Sequence, residues 1–213
     1  MLTTMGGKEC NFFNPALCIR LYLGYNNTRA PIKIIDPSAG WGDRMIAAIA
    51  CGDYVKEYHG YDPNNNRYDD IISRLDTRGV CKYTIAPFQD ATVKEGYYDL
   101  AMTSPPYFNL EVYSTDSSQS YNESTRTYDL WLNNFYIKYL SNMVKAVKSK
   151  GRIILYVSNY RDIDKQHIPL ADDTVKIVER LGATKVVSGY YRSHKRSDEP
   201  RGFPRPFFVF EKL

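Results

Sequence analysis

The sequence has little of what a disulfide framework or a metal site requires. Its 213 residues contain four cysteines, none in a CxxC pair, and three histidines that lie far apart. A zinc site needs clustered ligands, so we expect no metal centre. Free thiols without a framework favour a reducing compartment. We therefore expect a cytoplasmic protein, or one that acts inside a host cell.

Long apolar runs are also missing. No stretch approaches the roughly 20 apolar residues of a membrane-spanning helix, and the start of the chain lacks a charged-then-apolar signal. We expect no membrane partner. A chain of this length buries roughly 70% of its unfolded surface, which is enough for a core without disulfides. The sequence predicts one domain over residues 1–213.

Charge and aromatic content leave nucleic acid open as a partner. The net charge of +4 is mildly basic, which is compatible with nucleic acid and too weak to establish it. Tyrosine is abundant, at 19 residues. Tyrosine rings stack on bases, but half-buried packing explains most individual tyrosines equally well.

Strand-like and helix-like segments alternate along the chain, which predicts a mostly parallel sheet with helices on both faces. The predicted strands are 33–35, 57–61, 83–86, 98–103, 152–157, 184–190 and 205–211. The predicted helices are 14–25, 44–50, 68–75, 130–147 and 171–181. No helix separates the last two strands, so they form an antiparallel pair at one edge of a seven-stranded α/β sheet.

Unusual residues follow the first two predicted strands, where ligands bind in such sheets. The first turn, 36–42, reads Asp-Pro-Ser-Ala-Gly-Trp-Gly and precedes a helix. Its glycines allow a ligand to approach bare backbone, although it lacks the third glycine of the dinucleotide pattern. Asp62 ends the second strand and suits the two hydroxyls of a ribose, but a helix cap explains it equally well.

The third and fourth strands also end on candidate ligand groups. Phe88 and Asp90 follow the third strand, where a ring and a carboxylate suit an adenine, and where a plain polar turn is the alternative. The fourth turn is Ser104-Pro105-Pro106-Tyr107 and follows an apolar strand directly. Two prolines fix its backbone, and the tyrosine offers a flat face. Candidate ligand groups thus follow each of the first four strands, and this combination favours a functional site.

This combination resembles the class I S-adenosylmethionine-dependent methyltransferases, and among them the amino-group methyltransferases of nucleic acids. That family has an N-terminal cofactor segment, a glycine-containing first loop and a (D/N/S)PP(Y/F/W) motif. Here the same order is 11–15, 36–42 and Ser104–Tyr107. The resemblance spans most of the chain and implies a Rossmann-like class I methyltransferase fold with S-adenosyl-L-methionine as cofactor.

The resemblance also implies roles for individual residues. Asp62 holds the ribose, while Phe88 and Asp90 hold the adenine. Phe13 and Asn14, in a segment 1–30 that covers the cofactor, close over it, although helix capping explains Asn14 nearly as well. The methionine part of the cofactor is surrounded by Asp36, Ser38, Gly40 and Gly42.

The implied reaction is methylation of an exocyclic amino nitrogen on a DNA base. Acceptors at Ser104 Oγ and the Pro105 carbonyl would bind the two amino hydrogens and aim the nitrogen lone pair at the methyl donor. Pro106 holds the turn, and Tyr107 stacks on a base taken out of its duplex. Serine at the first motif position is commoner in the cytosine N4 enzymes. This preference is not a rule, so cytosine N4 and adenine N6 both stay open.

Within these 213 residues we expect no separate target-recognition domain. Specificity is then low, or comes from the loop 108–129, or is supplied by a specificity subunit or a homodimer partner. The candidate substrate residues are Phe108 and Tyr113 in that loop, and Arg192, Lys195, Arg196 and Arg201 in the basic segment 191–205. A solvated loop explains the basic segment equally well. DNA is favoured over RNA; the alternatives are an RNA base methyltransferase and an inactive binding homologue.

Overall fold

The protein is an α/β structure built on one large sheet. A computed structural model describes residues 13–28, 30–64, 68–110, 118–162, 164–191 and 205–213, with Arg205 described by its backbone alone. The strands are β1 Ile32–Asp36, β2 Val55–Asp62, β3 Cys81–Ile85, β4 Tyr98–Thr103, β5 Val147–Tyr156, β6 Tyr160–Arg161, β7 His167–Ile168, β8 Ala183–Tyr191 and β9 Arg205–Lys212. The helices are α1 Pro15–Gly24, α2 Asp43–Ala50, α3 Tyr68–Leu75, α4 Tyr128–Trp131, α5 Ile137–Ala146 and α6 Leu170–Arg180.

Seven strands form the main sheet in the order β3-β2-β1-β4-β5-β9-β8. The first five are parallel, while β9 pairs antiparallel with both β5 and β8. The predicted mostly parallel sheet with an antiparallel C-terminal edge pair is therefore confirmed. Strand order reverses between β1 and β4, which places a crevice at the carboxyl ends of these two neighbours.

Helices cover both faces of the sheet because adjacent strand residues point to opposite sides. Ile34 of β1 packs in one core with Met45 of α2, whereas its neighbour Ile35 packs in a second core with Leu140 of α5. Each of these four side chains is fully buried. The short apolar runs in the sequence are therefore strands buried on both faces, as parallel strands under helices usually are.

The boundary between α5 and β5 differs from the prediction. The spacing predicts a helix to residue 147 with Lys150-Gly151 as its end, but α5 ends at Ala146 and β5 begins at once. Lys150 has a left-handed φ of 64° and marks an irregularity within the strand. A Cβ on Gly151 would lie 2.9 Å from the Asp99 carbonyl oxygen, so only glycine allows this approach.

Two further features lie outside the prediction. A π-helical segment, Leu132–Tyr136, joins α4 to α5, so the predicted single helix contains a widened turn. The strands β6 and β7 form a small antiparallel hairpin after β5. Across the part of the chain that the structure describes, no helix is both long and apolar enough to cross a bilayer, and no cluster of metal-ligating side chains is found.

Candidate active site

Asp36 anchors the first turn from below. Its carboxylate is fully buried and accepts hydrogen bonds from Arg44 Nε at 2.7 Å and from the Tyr58 hydroxyl at 2.6 Å. The Arg44 guanidinium also donates to the Ser38 carbonyl oxygen. Both charges are withdrawn from water, which is tolerable only because they are paired and hydrogen-bonded. Asp36 therefore fixes the shape of the turn, and its buried oxygens already hold protein partners.

The glycines give the first turn its open backbone. Gly40 and Gly42 have φ values of 57° and 85°, a region that other residues rarely adopt. A Cβ on Gly42 would also meet the Ile71 side chain of α3, which would have to move. The Tyr68 hydroxyl holds the Gly40 carbonyl oxygen at 2.6 Å. Trp41 lies between the glycines and keeps 36% of its surface exposed.

Asp62 closes the second strand end against this turn. Its carboxylate accepts the Gly40 N–H at 3.0 Å and the Asn64 N–H at 2.9 Å, and only 7% of the residue is exposed. Burial raises the pKa of Asp62 above its usual range, while these N–H groups oppose the shift. The Asn64 side chain is a further hydrogen-bond partner of this carboxylate, and its bond also lowers the pKa.

The third strand end carries one buried and one exposed candidate. The Phe88 ring is 2% exposed and packs edge-on against Tyr61 and Tyr139, with ring centres 5.1 and 5.5 Å away. Asp90 is exposed, and its carboxylate accepts from the side chain of Gln89 at 3.0 Å. Phe88 therefore forms part of the floor of this turn, while Asp90 faces solvent.

The fourth turn begins where β4 ends. Ser104 and Pro106 are partly exposed and Pro105 is buried. The Tyr107 hydroxyl pairs with Ser158 Oγ at 3.0 Å and also accepts the Ser158 backbone N–H at 3.0 Å. The Tyr107 ring packs edge-on against Tyr160 of β6, with ring centres 5.2 Å apart. The residues that follow β5 thus hold the motif tyrosine by both its hydroxyl and its ring.

The start of the described chain packs beside the first turn. The Phe13 N–H donates to Asp43 Oδ2 at 3.1 Å, and the Phe13 ring lies 5.2 Å from the Arg44 guanidinium carbon. Burial raises the pKa of Asp43, and the Phe13 N–H opposes that shift. The Asn14 side-chain oxygen caps α1, and its amide nitrogen donates to the Tyr191 hydroxyl at 2.7 Å. Helix capping, one of the two expectations for Asn14, is thus observed.

The predicted substrate residues are only partly within the described structure. Phe108 is 4% exposed and packs edge-on against Tyr121, Tyr128 and Trp131, so its ring belongs to a buried aromatic cluster. The remaining candidates lie outside the described residues: Tyr113, Arg192, Lys195, Arg196 and Arg201.

Comparisons with known proteins find similarity in structure alone. No family model and no curated protein matches the sequence. Among solved structures, one is a 1,6-didemethyltoxoflavin-N1-methyltransferase from Burkholderia thailandensis with bound S-adenosylhomocysteine. It is 13% identical, with a TM-score of 0.60 over 93% of this chain and 76% of that chain.

Two other matches have similar scores. The N-methyltransferase NodS from Bradyrhizobium japonicum WM9, in complex with S-adenosylhomocysteine, is 12% identical with a TM-score of 0.60, over 93% of this chain and 85% of that chain. The tRNA (m1A58) methyltransferase TrmI from Aquifex aeolicus is 11% identical with a TM-score of 0.58, over 97% and 72%. The chain has the class I Rossmann-like methyltransferase fold.

In this methyltransferase fold the four strand ends identified in the sequence meet along one edge of the sheet. The sequence does not identify the groups that hold them: Arg44, Asp43, Tyr68, Tyr139, Asn142 and Ser158. Arg44 could have been suspected, since an arginine directly after the first turn is an unusual residue to bury. The others carry no local signal, because their partners are distant in sequence.

Proposed function

We propose that this protein is an S-adenosylmethionine-dependent methyltransferase that methylates an exocyclic amino nitrogen of a DNA base, cytosine N4 or adenine N6. The observation that carries the proposal is the position of the Ser104–Tyr107 turn. It ends β4, which pairs directly with β1, whose own end is the glycine turn 36–42. A candidate acceptor site and a candidate donor site therefore share one crevice.

The residues at the first turn suit the cofactor. A Cβ on Gly40 would come no closer than 3.9 Å to any neighbour, so the backbone here borders open space. The Asp62 carboxylate, at the end of β2 beside the first turn, suits the two vicinal hydroxyls of a ribose. The exposed Asp90 suits an amino group of the adenine. When bound, S-adenosylmethionine supplies a sulfonium methyl group: the N–C bond forms as the S–C bond breaks, and the amine releases a proton.

The fourth turn would prepare the acceptor nitrogen. An exocyclic amine is a poor nucleophile because its lone pair is delocalised into the ring. Ser104 Oγ and the Pro105 carbonyl oxygen would accept its two hydrogens and favour a pyramidal nitrogen. No strong base is needed, since the methylated ammonium is very acidic. Preorganised acceptors and correct positioning would supply most of the rate enhancement.

The Tyr107 ring would support the target base. Its edge contact with Tyr160 and its hydrogen bonds to Ser158 hold it before any substrate arrives. A base extruded from a duplex is commonly read by stacking on such a side chain. Because Tyr107 lies in the same turn as Ser104, stacking and acceptance of the amine would act on one base.

The test is incorporation of tritiated methyl groups into DNA and into RNA, followed by identification of the methylated nucleoside. We expect incorporation into DNA as N4-methylcytosine or N6-methyladenine, and loss of nearly all of it when 104–107 is replaced by alanines. A matched control is Tyr97→Phe, which removes a hydroxyl bonded to Glu57 at 2.9 Å, away from the four turns. Methylation of RNA alone, or full activity of the alanine variant, would contradict the proposal.

A further inference from the structure

Helix α5 sends two polar side chains toward the strand ends. Tyr139 and Asn142 are three residues apart, so they lie on the same side of the helix. Both bond to groups in the four turns rather than to neighbouring helices. A π-helical turn, a feature frequent at functional sites, precedes them at Leu132–Tyr136.

Tyr139 joins the first turn to the end of β4. Its hydroxyl lies 2.8 Å from Ser38 Oγ and donates to Thr103 Oγ1 over a longer 3.5 Å. Either hydroxyl can be the donor in the shorter contact. Thr103 is fully buried and directly precedes Ser104. Burial raises the pKa of Tyr139 above its usual value, so the hydroxyl keeps its proton and can bridge both partners.

Asn142 holds the third turn. Its side-chain nitrogen lies 3.0, 3.1 and 3.1 Å from the carbonyl oxygens of Phe88, Gln89 and Ala91, which share its two N–H donors. Three backbone carbonyls converge on one amide group, which fixes the path of the chain around Asp90. Without this donor, the partly buried carbonyls would lose a partner that water replaces only in part.

We propose that α5 is the positioning element of the site, with Tyr139 setting the separation of the first and fourth turns and Asn142 setting the third. The inference rests on the proposed function, because that function places the methyl donor at the first turn and the nitrogen that accepts the methyl group at the fourth. Neither side chain is a catalytic residue. Transfer between two bound groups is sensitive to small errors in separation, and a displacement of about 1 Å costs on the order of a hundredfold in rate.

The same helical region supplies a matched control. Tyr136 is fully buried, and its ring stacks at 10° on that of Tyr139 with centres 6.1 Å apart. Its hydroxyl pairs with Thr174 Oγ1 of α6 at 2.8 Å and takes no part in the four turns. Tyr136→Phe and Tyr139→Phe therefore each remove one buried hydroxyl from adjacent rings. Only Tyr139→Phe also removes a contact with the site.

The first measurement needs no ligand and no activity. Deuterium uptake of the backbone over 36–42 is compared between the wild type and the two phenylalanine variants. We expect faster exchange in Tyr139→Phe, by about tenfold, and unchanged exchange in Tyr136→Phe. Equal protection of this turn in both variants would overturn the positioning role of Tyr139, whatever the enzyme's substrate is.

The second measurement separates kcat from KM. We expect Tyr139→Phe to lower kcat about tenfold at saturating cofactor, while Tyr136→Phe stays within twofold of wild type. Asn142→Ala should instead weaken S-adenosylhomocysteine binding about tenfold by calorimetry. Equal kcat in the two tyrosine variants, or unchanged affinity in Asn142→Ala, would overturn the inference. Absence of methyl transfer by the wild type would overturn the proposed function, and the exchange comparison would still decide the role of Tyr139.

Discussion

Replacing Arg44 by methionine should destabilise the fold and disorder the first turn. Arg44 is 5% exposed, and its guanidinium is the charged partner of the fully buried Asp36. It also holds the Ser38 carbonyl oxygen, so one side chain supports both ends of the bend between β1 and the glycines. Methionine has a similar apolar stem, so the substitution removes charge and donors without opening a large cavity.

The cost follows from the burial of the pair. Removing one partner of a buried ion pair costs about 3–5 kcal/mol, because the other charge stays buried without compensation. We therefore expect Arg44→Met to lower the free energy of unfolding by about 3–5 kcal/mol.

Urea unfolding measures this loss in the free energy of unfolding, with the wild type as reference. The double variant Asp36→Asn/Arg44→Met is the control, because it removes both charges and leaves an oxygen for the Tyr58 hydroxyl. It should be more stable than Arg44→Met by about 1–2 kcal/mol. A loss below about 1 kcal/mol, or a double variant no more stable than Arg44→Met, would refute the reasoning.

Three further outcomes are expected. Burial, with the Lys82 ammonium adding to it, lowers the pKa of His59 from 6.5 to about 4; the stability from the neutral imidazole is therefore present above pH 6.5 and declines toward pH 4. The free energy of unfolding lost between pH 6.5 and pH 4, measured by urea unfolding, should be smaller in His59→Gln by about 1–2 kcal/mol, allowing for partial exposure. S-adenosylhomocysteine should change the fluorescence emission of the exposed Trp41, while that of the fully buried Trp131 stays constant. Trp41→Phe should therefore abolish most of the change, and a variant that responds like the wild type would place the ligand elsewhere. Tyr107→Phe should lower kcat/KM for nucleic acid about fivefold, through the lost hydrogen bonds to Ser158, with no change in S-adenosylhomocysteine affinity measured by calorimetry.

The sheet was predictable because its strands are short, apolar and separated by helical patterns. Burial on both faces leaves few polar residues in β1 or β4, and polar or glycine-containing turns mark where each strand ends. The boundary at Val147 was not predictable, because Lys150-Gly151 is as typical of a helix end as of a bulge. Only the packing of Gly151 against the neighbouring β4, a contact remote in sequence, distinguishes the two.

The strand ends were predictable as a group because topology alone brings them to one edge of the sheet. The role of each individual side chain at these strand ends was harder to predict. Asp36, Asp62 and Phe88 are buried within or beneath their turns, whereas Asp90 faces solvent. Sequence distance from a strand end does not distinguish a residue that supports a turn from one that lines it, since neighbouring side chains alternate in direction.

Tyr139 shows why the supporting groups stay hidden in the sequence. It occupies an apolar position of a helical pattern, where a buried ring explains it fully, and its neighbour Tyr136 fits the same description. The difference between the two lies in what each hydroxyl meets: Ser38 and Thr103 for one, Thr174 for the other. A buried hydroxyl must find a partner, and the partner decides whether the side chain serves the core or the site. That partner is set by the fold, so the structure is needed to distinguish these two tyrosines.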